Sequence, residues 1–177
     1  MFRNFKKNHG FTLIELIVAF SIISILSSIG IASFVGYNTE QEFRGAYLEF
    51  ASNISLAKSN ALAQVKPDQC TDPVNPSNSK VLVGYRVIIK DVRTYEIHAE
   101  CRISVNDPYD PRDIYNKQTF YLSRSVSFIT PPNDQGIFFP VLESEVTPVT
   151  IILESKNGKQ ENVIVDKGGV ITTENAN

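Results

Sequence analysis

From Phe11 to Val35 the chain is apolar at almost every position, and Glu15 is the only charge in that run. As a helix rising about 1.5 Å per residue, some 25 residues cover roughly 37 Å, enough to cross a bilayer core of about 30 Å. From Glu42 to Val65 the pattern narrows to a stripe. Phe43, Tyr47, Phe50, Ile54, Ala57, Ala61 and Val65 recur at spacings of three and four, which predicts an amphipathic helix with one core-facing side. Pro67 should end it, because the residue before a proline is pushed out of helical geometry. Joined, the two stretches predict one helix of about 55 residues, roughly 80 Å long. Gly30 and Gly36 lie where its halves meet, each costing about 1 kcal/mol relative to Ala, so bending or local melting is expected there.

Beyond Pro67 the period shifts from helical to alternating. Val81 to Ile89 and Arg93 to Val105 are rich in β-branched and aromatic residues, and with a polar break at Lys90-Asp91 they predict an antiparallel hairpin. Further strands are expected at 119–122, 126–129, 136–139, 149–153, 163–165 and 170–172. Asn157-Gly158 predicts a two-residue hairpin turn and Gly168-Gly169 another. Pro131-Pro132 and the Asp-Pro pairs at Asp72, Asp107 and Asp110 mark loops. One long helix followed only by strands is an α+β pattern, with the helix packed on an antiparallel β-sheet. About 140 residues remain after the apolar run, the length of one ordinary domain.

Charge orients the apolar segment. Arg3, Lys6 and Lys7 precede it, while Glu40 and Glu42 follow it with Arg44, so the N-terminus should stay in the cytoplasm and the remainder lie outside. A carboxylate within such a segment needs a reason, since leaving it in hydrocarbon costs roughly 2.5–3.5 kcal/mol on insertion scales. A simple anchor whose Glu15 reaches up to the headgroups is the plain alternative. An ordinary secretory signal would be cut after its apolar core, yet here the small residue, Gly10, precedes the core.

The hexapeptide Gly10-Phe11-Thr12-Leu13-Ile14-Glu15, directly behind the basic leader, resembles the processing site of type IV pilins and pseudopilins. The resemblance implies that a prepilin peptidase cuts between Gly10 and Phe11 and methylates Phe11. The chain would then divide into a leader (1–10), a transmembrane and filament-core helix (11–36) and an extracytoplasmic domain (37–177). It further implies that Glu15 neutralises the N-terminal ammonium of a neighbouring subunit. Three more stretches are similar to the H-type minor pseudopilins of type II secretion and the FimT-type minor pilins. They are Ala57-Lys58-Ser59-Asn60-Ala61, Gly84-Tyr85-Arg86-Val87 and Lys167-Gly168-Gly169-Val170-Ile171. Many major pilins carry a helix-kinking Pro where this chain has Ala32, so a minor subunit is favoured. The implied partners are the peptidase, the inner membrane and other major and minor pilins or pseudopilins, with no cofactor and no catalytic step. In a FimT-like alternative the ligand is DNA, taken up by the filament.

Composition adds limits. The formal charge is −2. Without the leader's three cations, 14 basic side chains face 19 acidic ones, about −5, which gives no general attraction to nucleic acid or anionic lipid. A local basic stripe remains open: Arg86, Lys90, Arg93 and Arg102 lie on or beside one predicted hairpin, interrupted by Asp91, Glu96 and Glu100. The two cysteines, Cys70 and Cys101, fall outside the cytoplasm by this reading, where disulfides persist. They are expected to pair, the other possibility being two separate buried thiols. His98 has no accompanying nucleophile motif and is expected to be an ordinary sheet residue. Asp107, Asp110 and Asp113 form a carboxylate-rich loop, but their spacing does not match an EF-hand and the adjacent prolines suggest a turn, so no metal site is assigned.

Overall fold

Thr12 opens α1 (Leu13–Leu62). Its Oγ1 accepts the N–H of Glu15 at 3.4 Å and its carbonyl accepts that of Leu16 at 3.3 Å, as a Thr N-cap with Glu three residues on would arrange. The computed structural model describes residues 12–72, 74, 79–106, 108, 110–129, 136–141 and 145–176, without the side chains of 28–33 and 35. The chain separates into two units, Met1–Glu40 and Gln41–Asn177. α1 belongs to both and is helical through Gly30 and Gly36, so the local melting expected there does not occur. A cost of about 1 kcal/mol per glycine does not break a hydrogen-bond ladder continuous on either side.

Within the second unit the α1 stripe is the core. Phe43, Phe50, Ile54, Ala57 and Ala61 are each no more than 1% exposed. Ala46 joins them, Tyr47 is half-buried at the rim, and Val65 is exposed beyond the helix. Pro67 is not what stops α1. Gln64 adopts φ 52°, and its N–H donates to Ala61 O at 3.1 Å while that of Val65 donates to Asn60 O at 2.9 Å. This is a Schellman cap with glutamine in the left-handed position that glycine usually takes. The Tyr85 hydroxyl donates to Val65 O at 2.7 Å and holds the cap to the sheet.

Eight described strands follow: β1 (Val81–Asp91), β2 (Thr94–Arg102), β3 (Ile114–Tyr121), β4 (Val126–Phe128), β5 (Ile137–Pro140), β6 (Val149–Ser155), β7 (Gln160–Val165) and β8 (Ile171–Asn175). They make two four-stranded sheets, β3-β2-β1-β5 and β4-β6-β7-β8, with every pair antiparallel. Phe50 ties both sheets to the helix, meeting Tyr95 of β2 at 4.8 Å and Phe128 of β4 at 5.0 Å, edge to face. Tyr95 accepts a hydrogen bond from Asn53 at 2.7 Å, and burial pushes its phenol up to about 12.

The hairpin details differ from expectation. The β1–β2 turn centres on Val92-Arg93, because the Asp91 carboxylate accepts the Arg93 N–H at 2.8 Å and closes an Asx turn. The β6–β7 and β7–β8 connections are three-residue loops, not two. In each, the last residue is a glycine at positive φ, Gly158 at 80° and Gly169 at 68°. The Ser155 N–H to Lys159 O and Asp166 N–H to Val170 O bonds, 2.8 and 3.0 Å, close them as turn-plus-bulge hairpins.

Two of the three short patterns of the second unit meet in space, and the third packs on β5. Lys58 Nζ donates to Gly168 O at 3.3 Å and Gly169 O at 2.9 Å, joining the helix pattern to the β7–β8 loop. Gly84 lies beneath Phe138, whose ring would be 2.6 Å from any Cβ there, and that ring is also 4.6 Å from the Arg86 guanidinium.

Candidate functional site

The first turns of α1 hold the candidate assembly residue. Glu15 is exposed in the first turn, where free N–H groups and the helix dipole favour an anion. Gly10 and Phe11, the expected processing site, lie outside the described residues. From Leu13 to Ser27 every side chain is exposed; Leu13, Ile14, Ile25 and Leu26 remain at 64% or more. The serines of this stretch satisfy themselves: Ser21 and Ser24 hydroxyls donate to the carbonyls of Ile17 and Phe20, both at 2.8 Å. Polar groups so bonded can enter an apolar environment without losing a partner. Among the described residues no helix is long and apolar enough to cross a membrane. The expected span also runs through residues 28–33 and 35, whose side chains are outside the description.

The four cations of the predicted hairpin do not form one surface. Lys90 and Arg93 are exposed at the tip. Arg86 and Arg102 instead turn onto Glu100, whose side chain is fully buried. Arg102 Nη2 lies 2.8 Å from Oε2, the Arg86 Nε donates to Oε1, and His98 Nε2 stands 3.8 Å from Oε1, too far for a hydrogen bond. Burial would raise the Glu100 carboxyl, but His98, Arg86 and Arg102 outweigh it and hold it at about 2. Sequence reasoning treated Glu100 as an interruption of a basic stripe, whereas it is the hub of a buried cluster. A signal was available: Glu96, His98, Glu100 and Arg102 share one strand face by period two, opposite Tyr95, Ile97, Ala99 and Cys101.

Cys70 and Cys101 are bonded, their Cα atoms 5.9 Å apart and both residues buried. Asp110 and Asp113 are occupied by cations. Arg112 is 2.6 Å from Asp110 and holds its carboxyl at about 2, and Lys80 is 2.6 Å from Asp113. Asp107 lies outside the described residues.

Residues 5–31 match the family model of the prokaryotic N-terminal methylation motif. At its N-terminus the chain thus carries the methylation signature. That signature runs from the basic leader into the exposed apolar turns of α1 and includes Gly10, Phe11 and Glu15. Among solved structures the chain is similar to the minor pseudopilin EpsH from the type 2 secretion system of Vibrio cholerae. The identity is 16%, over 76% of this chain and 97% of that one, with a TM-score of 0.47. No curated protein matches the sequence. Behind the methylation motif, the observed α+β architecture sets a helix against antiparallel sheet.

Proposed function

We propose that the protein is a minor pilin or pseudopilin of the H-type and FimT-type class, a filament subunit with no catalytic step. A prepilin peptidase cuts between Gly10 and Phe11 and methylates Phe11. The retained helix, 11–36, anchors the chain in the inner membrane with residues 37–177 outside the cytoplasm, and there Glu15 pairs with the N-terminus of a neighbouring pilin or pseudopilin. One observation carries this reading: the methylation motif continues directly into an unpartnered apolar helix whose acid sits in the first turn. Exposed aliphatics on successive turns need lipid or other helices to cover them, and a carboxylate among them needs a counter-charge.

Intact mass of the membrane-bound protein tests it. Loss of Met1–Gly10 with one added methyl is expected, and a bulky residue at position 10 should leave the full-length chain, because glycine suits a protease that must grip an extended backbone closely. A mature terminus well downstream of Phe11 would mean that the anchor is discarded and would overturn the proposal. The DNA-uptake alternative rests on Lys90 and Arg93, since Arg86 and Arg102 face Glu100. A gel shift with duplex DNA at two salt concentrations tests that alternative, and no shift at low salt removes it.

A further inference from the structure

We propose that a basic groove at the end of the ectodomain where α1 enters binds the phosphate-bearing headgroups of anionic lipids, seating the domain on the membrane surface. Arg93 at the β1–β2 tip, Arg124 between β3 and β4, and Lys156 in the β6–β7 loop come from three separate stretches and line one groove of about 440 Å³. Main-chain bonds fix the three stretches to one another. The Leu122 N–H donates to Arg93 O at 2.8 Å, that of Phe128 to Val92 O at 2.7 Å, and that of Lys156 to Ser125 O at 2.8 Å. All three cations are exposed. Among the described residues none of the three has an ion-pair partner within 4 Å. Glu154, the one acid on the lining, accepts a hydrogen bond from Gln160 at 3.0 Å. The groove therefore keeps an excess of positive charge on a frame already built.

Its place in the fold selects the partner. Lys58 marks the far end of the domain by gripping the β7–β8 loop, and the β6–β7 loop is one strand length away from it along β7. Phe128, paired with Leu153 just before that loop, meets Phe50, eight residues N-terminal of Lys58. The groove thus lies toward residue 41, where the chain arrives from the apolar segment. Val92 on its lining is 56% exposed, and Tyr121, which pairs with Thr94 at the same tip, is 75% exposed, an apolar and an aromatic side chain at the end that carries the cations, as suits a membrane interface. Three gathered cations match one or two headgroups. Duplex binding builds instead on many phosphate contacts, about six to ten for strongly salt-dependent binders.

The inference rests on the proposed anchoring, and the test separates the two. The full chain is placed in nanodiscs of phosphatidylcholine, alone or with about one-third phosphatidylglycerol, and amide exchange is followed at residues 91–94, 124–127 and 156–158. Exchange should slow by at least about ten-fold in the anionic discs, since each of the three cations near such a leaflet shifts the bound population up to about five-fold. The effect should vanish at high salt and in the R124E/K156E variant, whose exposed changes leave the core untouched. A chain that inserts, resists alkaline extraction and exchanges equally in both discs overturns the groove and leaves the anchor standing. A chain that alkali extracts overturns both. Equal protection in neutral discs on adding inorganic phosphate or duplex DNA would reassign the groove to a free anion or to nucleic acid, and overturns the lipid assignment.

Discussion

Glu100 is the residue whose environment departs furthest from its ordinary chemistry. Its carboxyl is held at about 2 by His98, Arg86 and Arg102 against the opposing effect of burial, so the folded state binds this proton less readily than the unfolded chain. The stabilisation, on the order of 3 kcal/mol, is complete above the unfolded pKa of about 4.3 and is lost as pH falls toward 2. Denaturation followed between pH 7 and pH 2 should show stability falling through that window, and Glu100→Gln should flatten the fall. At pH 7 the same variant should be less stable by about 3–5 kcal/mol, because it leaves Arg86 and Arg102 without their counter-charge. A variant with wild-type stability and an unchanged pH profile would show that the cluster contributes nothing. Glu15 was legible from sequence because a lone acid in an apolar run stands out. Glu100 was not, because its importance comes from two arginines folding onto it from β1 and from its own strand.

At the scale of elements, the α1 stripe and the disulfide carry separable shares of stability. Phe50 is fully buried between both sheets, so Phe50→Ala should cost about 3–5 kcal/mol in chemical denaturation. The Cys70–Cys101 bond closes a loop with a sequence separation of 31, and replacing both cysteines by serine should cost about 3–4 kcal/mol in the chain-entropy account. A double variant as stable as the parent would mean that the 3₁₀ turn Asp68–Cys70 is fixed by other contacts. Helical spacing located the buried stripe almost residue by residue, and alternation touched each described strand, because both signals are local, although it caught only 119–121 of β3, whose middle is exposed. Sheet membership is not local. β4 leaves to pair with β6 while β5 returns to β1, so the antiparallel strands divide between two sheets. The loops failed for a smaller reason: Asn157-Gly158 signals a tight turn, yet Lys156 joins it and Gly158 alone takes positive φ. Arg124 and Lys156 escaped notice for the same reason as the sheets, since only tertiary pairing brings them beside Arg93.

For the whole molecule, the exposed first turns of α1 and the packed second unit make different demands on one chain. The second unit buries its stripe internally, whereas the aliphatics of Leu13 to Ser27 stay uncovered, to be covered by lipid or other helices in the proposed function. In the proposed function, insertion depends on that apolar run and cleavage on the residues around Gly10, so neither requires the Glu15 carboxylate. Assembly does require it, if the acid offsets a neighbour's ammonium in a medium where each charge alone is costly; breaking such a pair leaves the survivor uncompensated, at roughly 3–5 kcal/mol. Glu15→Ala should therefore remain membrane-bound and correctly trimmed, yet be depleted by two orders of magnitude or more from sheared filaments, since about 1.4 kcal/mol is a factor of ten. Glu15→Asp, shorter by one methylene, should recover part of the incorporation. The carboxylate also lies where it favours the first helical turn, a role worth only about 0.3–1 kcal/mol. If the alanine variant enters filaments at close to normal levels, helix capping accounts for Glu15 and the charge pair between subunits does not exist.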